Sequence, residues 1–208
     1  MKTKLIILII FSCLKINSQV KVDSIKGEIS LLRTQEIDLN KRKLKNAAYK
    51  WVVNNFNNPE HVTKINNDDN IFIKGEFKVG AEYTSNNTTV FVPRKIKYSL
   101  DIKFKEGRYK LETTDLFLDD NDPRISILFY FMSFNDYRNY RIKYADNYNG
   151  SYKKKIIKKL KDEKDIIETY KEQMKYGKQI IHQIKNYLEK IDISLLEFLK
   201  TEVEKEKW

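Results

Sequence analysis

The sequence predicts an α+β fold: an antiparallel sheet of three to five strands with one amphipathic helix packed on it, then a helical C-terminal region. Three observations carry that expectation. Ile96, Tyr98, Leu100, Ile102 and Phe104 alternate with Lys97, Ser99, Asp101, Lys103 and Lys105, the period of a strand with one buried face. Glu106-Gly107 breaks the run and residues 108–118 resume it. A hairpin there sets Phe104 opposite Tyr109, Ile102 opposite Leu111 and Leu100 opposite Thr113, so the largely apolar positions share one face. Leu44, Ala47, Ala48, Trp51, Val52 and Phe56 follow helical spacing, and further stripes of that spacing recur beyond Gly150.

From the start of the chain, Lys2 and Lys4 precede an apolar run over residues 5–14, too short for a mature membrane helix, and polar residues 15–19 follow. This is the layout of a secretory signal peptide, with cleavage expected near Ser18 and Gln19. The predicted divisions are a signal peptide at 1–18, an α+β domain at 24–122, and an aromatic-rich segment with C-terminal helices at 123–208, packed on the same core. Export through the inner membrane to the periplasm or medium is the expected address. A second reading stays open: Ile10-Phe11-Ser12-Cys13 resembles a lipobox, which would make Cys13 a lipid anchor. Cys13 is the sole cysteine, so a chain cut after Ser18 has no disulfide, thiol nucleophile or cysteine metal site. Losing Lys2, Lys4 and Lys15 lowers the formal charge from +11 to +8.

Residues 20–39 alternate loosely and suggest an irregular first strand, or a tether if Cys13 is acylated. Residues 41–56 read as the helix, capped by Asp38 or Asn40 and ended before Pro59. Trp51 on its apolar stripe is a core anchor. Residues 71–79 alternate again, with Gly75 marking a bulge or a close approach. Residues 80–94, rich in Asn and Thr, read as a flexible excursion holding a short edge strand, because Pro93 cannot join a central ladder.

In that order the segments resemble a known family. Residues 48–56 (AYKWVVNNF), 73–79 (IKGEFKV) and 96–109 (IKYSLDIKFKEGRY) are similar to a secreted domain of unknown function from Gram-negative bacteria with a TBP-like fold. The resemblance covers residues 38–118. It implies a fold and an export route, and it supplies no catalytic residues.

Beyond the Asp119-Asp120-Asn121-Asp122-Pro123 turn come an aromatic run at 125–134 and a stretch in which tyrosines alternate with basic residues. Helices are then expected over 151–176 and 178–191, with a last one capped by Asp192 or Ser194. Their apolar stripes need a partner, either the open face of the sheet or a second copy of the chain, so a homo-oligomer is one expectation.

The chemistry is sparse. His61 and His182 stand far apart, without cysteines or H-E-x-x-H spacing, and the chain has no G-x-S-x-G turn, P-loop or G-x-G-x-x-G. No enzyme activity, cofactor or metal is expected. The acidic run at 119–122 lacks the glycine and the twelfth-position glutamate of a calcium loop, that position being Tyr130. The best binding candidates are Tyr137, Arg138, Tyr140, Arg141 and Tyr144 with Lys153, Lys154, Lys155, Lys158 and Lys159. Aromatic rings and cations in that mixture suit sugars, bases or anionic headgroups. Residues 151–208 balance 15 lysines against 11 carboxylates, only +4, and an exported chain does not meet the genome, so nucleic acid is disfavoured. The expected function is a non-enzymatic, envelope-associated binding or structural module with an unknown protein or envelope partner. The alternative is a surface-binding module for anionic lipid or glycan through residues 137–159.

Overall fold

The computed structural model describes residues 19–85, 88–118 and 127–205. The expected signal peptide, Cys13 and the acidic run at 119–122 lie outside them. The strands are β1 (Gln19–Asp23), β2 (Glu28–Glu36), β3 (Thr63–Asn66), β4 (Asn70–Ser85), β5 (Thr88–Lys105) and β6 (Arg108–Leu118). They form one antiparallel six-stranded sheet in the order β1-β2-β6-β5-β4-β3. The helices are α1 (Lys41–Asn55), a one-turn α2 (Pro59–Val62), α3 (Phe134–Ala145), α4 (Gly150–Lys161) and α5 (Glu163–Lys205), with a 3-10 turn at Ile127–Phe131. The α+β class and the helical C-terminal region hold, with more strands than the three to five expected.

The β5–β6 hairpin has the register its side chains predict, with Phe104 opposite Tyr109, Ile102 opposite Leu111 and Leu100 opposite Thr113. Past Thr114 the alternation slips, because β6 carries one extra residue at the backbone bulge around Asp115, whose φ is 52°. The bulge returns Leu116 and Leu118 to the covered face while Phe117 stays exposed. Gly75 is no bulge. A Cβ there would lie 2.6 Å from the Tyr98 ring, so the glycine admits a neighbouring strand's side chain rather than a helix.

Three segments depart from the expectation. Within residues 20–39, the stretch up to Glu36 forms a regular hairpin, β1 and β2, whose turn is held by Asp23 Oδ1 accepting from the amides of Ile25 and Lys26. Residues 80–85 and 88–94 are not an excursion: β4 and β5 stay paired as far as Ser85 and Thr88, and Pro93 sits within β5 opposite Gly80. Proline is tolerated because β6 ends at Leu118, opposite Ile96, so among the described residues no strand pairs with that side of β5 at Pro93. The three expected C-terminal helices are α4 and a single 43-residue α5. Gly177 lies inside α5, where a Cβ would come 2.7 Å from Tyr130 Cβ.

Helix α1 starts as its sequence directs, with Asn40 Oδ1 accepting from Lys43 N–H. Its first turn holds no acidic residue; instead Glu106, from the β5–β6 turn, accepts the Lys41 amide. A carboxylate from another element thus complements the positive end of the helix. α1 and α5 cover one face of the sheet together. Trp51 Nε1 of α1 donates to Ser194 Oγ of α5 at 3.0 Å, and Tyr187 of α5 stacks on Phe77 at 3.7 Å between centroids. Arg33 of β2 and Asp192 of α5 form an ion pair with both residues buried. Asp192 and Ser194 are therefore partners of the sheet and of α1, not caps.

Among the phenols packed in this interior, four are shifted by it. Burial pushes Tyr98, Tyr109, Tyr130 and Tyr187 above the usual tyrosine pKa; the neighbouring Asp192 raises Tyr109 further and Arg33 opposes it. A raised pKa means that the unfolded chain loses these protons first. Their contribution is complete below the unfolded value of 10.0 and is lost as pH climbs beyond it. An alkaline titration followed at the tyrosinate absorbance should show these four phenols ionising together with loss of far-UV circular dichroism. Ionisation of all tyrosines near pH 10, with the fold intact, would refute that packing.

Candidate functional site

The tyrosine–lysine stretch folds into α3 and α4, a helical pair docked against α5 and the 3-10 turn. Ser133 caps α3 by accepting from Asp136 N–H, and Asp136 carries the acidic charge suited to a first turn. The structure divides the predicted residues between interior and surface. Tyr137 is 1% exposed, with ring contacts to Phe129 and Tyr170, so it belongs to the core. Tyr140 lies 5.0 Å from Phe129, and Tyr144, Tyr148 and Tyr152 continue outward at i, i+4 spacing. The hydroxyls of Tyr144 and Tyr148 are hydrogen-bonded at 2.5 Å. Arg141 stands over the rings of both Tyr137 and Tyr144. The ladder starts in the core and ends at Tyr152, which is 54% exposed.

Helix α4 supplies the charge. Over Gly150–Lys161 it has six lysines and no carboxylate. Ile156 and Leu160 are buried, Ile157 is half-buried, and Lys153 is turned to Asp146 in an ion pair at 3.0 Å. At about 100° per residue, Lys154, Lys155, Lys158, Lys159 and Lys161 fall on the opposite half of the helix, and all five are exposed. Tyr152 borders that arc. The structure thus brings Lys154, Lys155, Lys158 and Lys159 together beside one exposed ring. It takes Tyr137 and Lys153 out of the set and leaves Arg138 exposed on α3. Lys161 was missed by the sequence reading, although the same periodicity includes it.

Apart from that surface, a cleft of about 820 Å³ opens at the start of α1 between Lys41, Arg42, Lys45, Asn46, Asp68 and Glu106. Lys41 is bonded there to Asp69, which raises its pKa, the hydrogen bond being the main cause. His61 lies on α2, and His182, on α5, is within 3.1 Å of the Asn186 amide. Among the described residues no group of three His, Cys, Asp or Glu side chains is placed to hold a metal ion. No helix among them is long and apolar enough to cross a membrane.

Comparison with known proteins bears on the sheet region. No curated protein matches the chain. Two crystal structures are similar to it. One is a TBP-like protein from Parabacteroides distasonis ATCC 8503, with 23% identity over 47% of this chain and 60% of that one, at a TM-score of 0.33. The present chain therefore spans less than two thirds of that protein. The other is a DUF4468 family protein from Bacteroides ovatus ATCC 8483, with 12% identity over 84% of this chain and 90% of that one, at a TM-score of 0.45. The family model that matches runs from the end of β2 to β6, so it takes in α1, the central strands and the Glu106-Gly107 turn, and stops short of the tyrosine ladder and α4. Over residues 35–117 this chain matches the domain of unknown function (DUF4468) with TBP-like fold.

Proposed function

We propose that this protein is an exported, non-enzymatic module of the cell envelope that docks on anionic lipid headgroups through α4. The single observation behind this reading is the lysine arc of α4, five exposed cations on a helix whose apolar side is already used inside the fold. A helix with its apolar side committed cannot sink into a bilayer. It meets a membrane as a charged surface, with about 1 kcal/mol per lysine close to anionic lipid. Tyr152, at the edge of the arc, is an amphipathic ring suited to headgroup depth. Export rests on the sequence of residues 1–18, and the lack of enzyme activity on the missing catalytic motifs.

Co-sedimentation with vesicles tests the reading. Binding to vesicles containing anionic lipid should exceed binding to neutral vesicles and weaken with salt. Changing Lys154, Lys155, Lys158 and Lys159 together to Gln should reduce it by more than about tenfold. Equal retention of the Gln variant, or no anionic preference, would end the proposal. Binding that needs Tyr152 and soluble glycan, yet ignores salt, would point to a sugar-binding surface instead.

A further inference from the structure

We infer that the outer edge of β4 is a strand-addition surface for a second copy of this chain, and that Gln183 of α5 holds it closed. β3 pairs with β4 only as far as Ile73, whereas β4 continues to Ser85. Among the described residues, 74–85 therefore have β5 on one side and no paired strand on the other. The register tells which backbone groups face that edge. Gly80 lies opposite Pro93, which has no N–H to offer. Both polar groups of Gly80 are instead taken by one side chain: Gly80 N–H donates to Gln183 Oε1 at 3.1 Å, and Gln183 Nε2 donates to Gly80 O at 2.6 Å. Gly80 is thus an outward-facing rung. Because the β4–β5 register runs unbroken from Asn70 to Ser85, Lys74, Glu76, Lys78 and Glu82 present their backbone groups to the same edge.

The primary amide of glutamine has the donor and acceptor of a peptide group, so Gln183 acts there as a one-residue strand. Phe91 lies over Gly80, where a Cβ would come 2.1 Å from its ring, so a side chain there would have to displace that exposed ring. A second copy fits the same edge. In an antiparallel pair whose two-fold axis passes through Gly80, the two glycines exchange the hydrogen bonds now made to Gln183. Lys78 of each chain then faces Glu82 of the other, giving two opposite-charge pairs, and all four side chains are exposed. An axis through Lys78 would pair Lys74 with Glu82 but set the two Lys78 side chains against each other at its centre, and one through Val79 would oppose Glu76 and Glu82. The charge pattern therefore favours the rung that Gln183 occupies. Exposed edges invite such pairing, and a side chain that fills a rung suppresses it.

Sedimentation velocity over a concentration series tests this on the intact chain. The unaltered protein is expected to stay monomeric. Gln183→Ala should self-associate at least about tenfold more tightly, because two edge hydrogen bonds become available. Adding Lys78→Glu should return that variant to monomer, and adding Glu82→Lys as well should restore the dimer. Gln183→Glu, which keeps the acceptor and loses the donor, should fall between and carries the test if Gln183→Ala does not fold. A monomeric Gln183→Ala with native circular dichroism would overturn the inference. So would a dimer indifferent to both charge changes, or an unaltered chain that already associates as tightly as the variant.

Discussion

Asp192→Ala is expected to lower the unfolding free energy by about 3–5 kcal/mol, because it leaves the Arg33 guanidinium buried without its counter-charge. Arg33 is 2% exposed and Asp192 0%, so no water is at hand to replace the carboxylate. The pair also clamps α5 to β2, and Tyr109 lies against it with its hydroxyl buried. A loss of that size is roughly a fifth or more of the stability of an ordinary domain, so the variant should unfold at markedly lower urea. Arg33→Met with Asp192→Leu should recover most of it, since two apolar side chains of similar volume demand no solvation. A single variant within about 1 kcal/mol of the parent, in urea titrations at neutral pH, would show that the pair is solvated in solution.

Trp51→Ala should cost a comparable 3–5 kcal/mol or so, the range for emptying a large aromatic site in a packed core. Trp51 is 1% exposed, meets Phe56 edge-on at 5.8 Å, and donates its indole N–H to Ser194. It holds α1 to the sheet and to α5 at once. Ser194→Ala removes only the hydrogen bond and should cost about 1 kcal/mol. In the double variant the two losses should add to less than their sum, because the second change finds no partner left to lose. Full additivity would mean that the indole and the serine do not interact in solution.

These two residues mark the limit of what was legible in the chain. Trp51 could be placed from sequence because its neighbours at helical spacing are apolar, and the β5–β6 register because two alternating runs flank a two-residue turn. In each case the information is local and periodic. Arg33 and Asp192 break such patterns. Each is charged and would be read as exposed, and each is buried only because the other waits 159 residues away. The start of β5, Thr88 to Pro93, carries no apolar alternation and holds a proline, and its pairing with β4 follows from the register set further down the hairpin.

The candidate surface divides in the same way. The lysine arc of α4 is a matter of helical period and was readable, Lys161 included. That Tyr137 is a core residue and Tyr152 an exposed one was not, because identical side chains at similar spacing receive different fates from the elements that pack on them. Local periodicity is enough to specify the α+β class, the position of α1, the β5–β6 hairpin and the cationic face of α4, since each needs only the pattern of neighbouring residues. Tertiary structure alone decided the continuity of α5, the buried ion pair, the orientation of the tyrosine ladder and the closing of the β4 edge by Gln183. Each of those depends on groups distant in the chain meeting in a low-dielectric interior or at a strand edge, where an unpaired polar group costs more than any local preference can return.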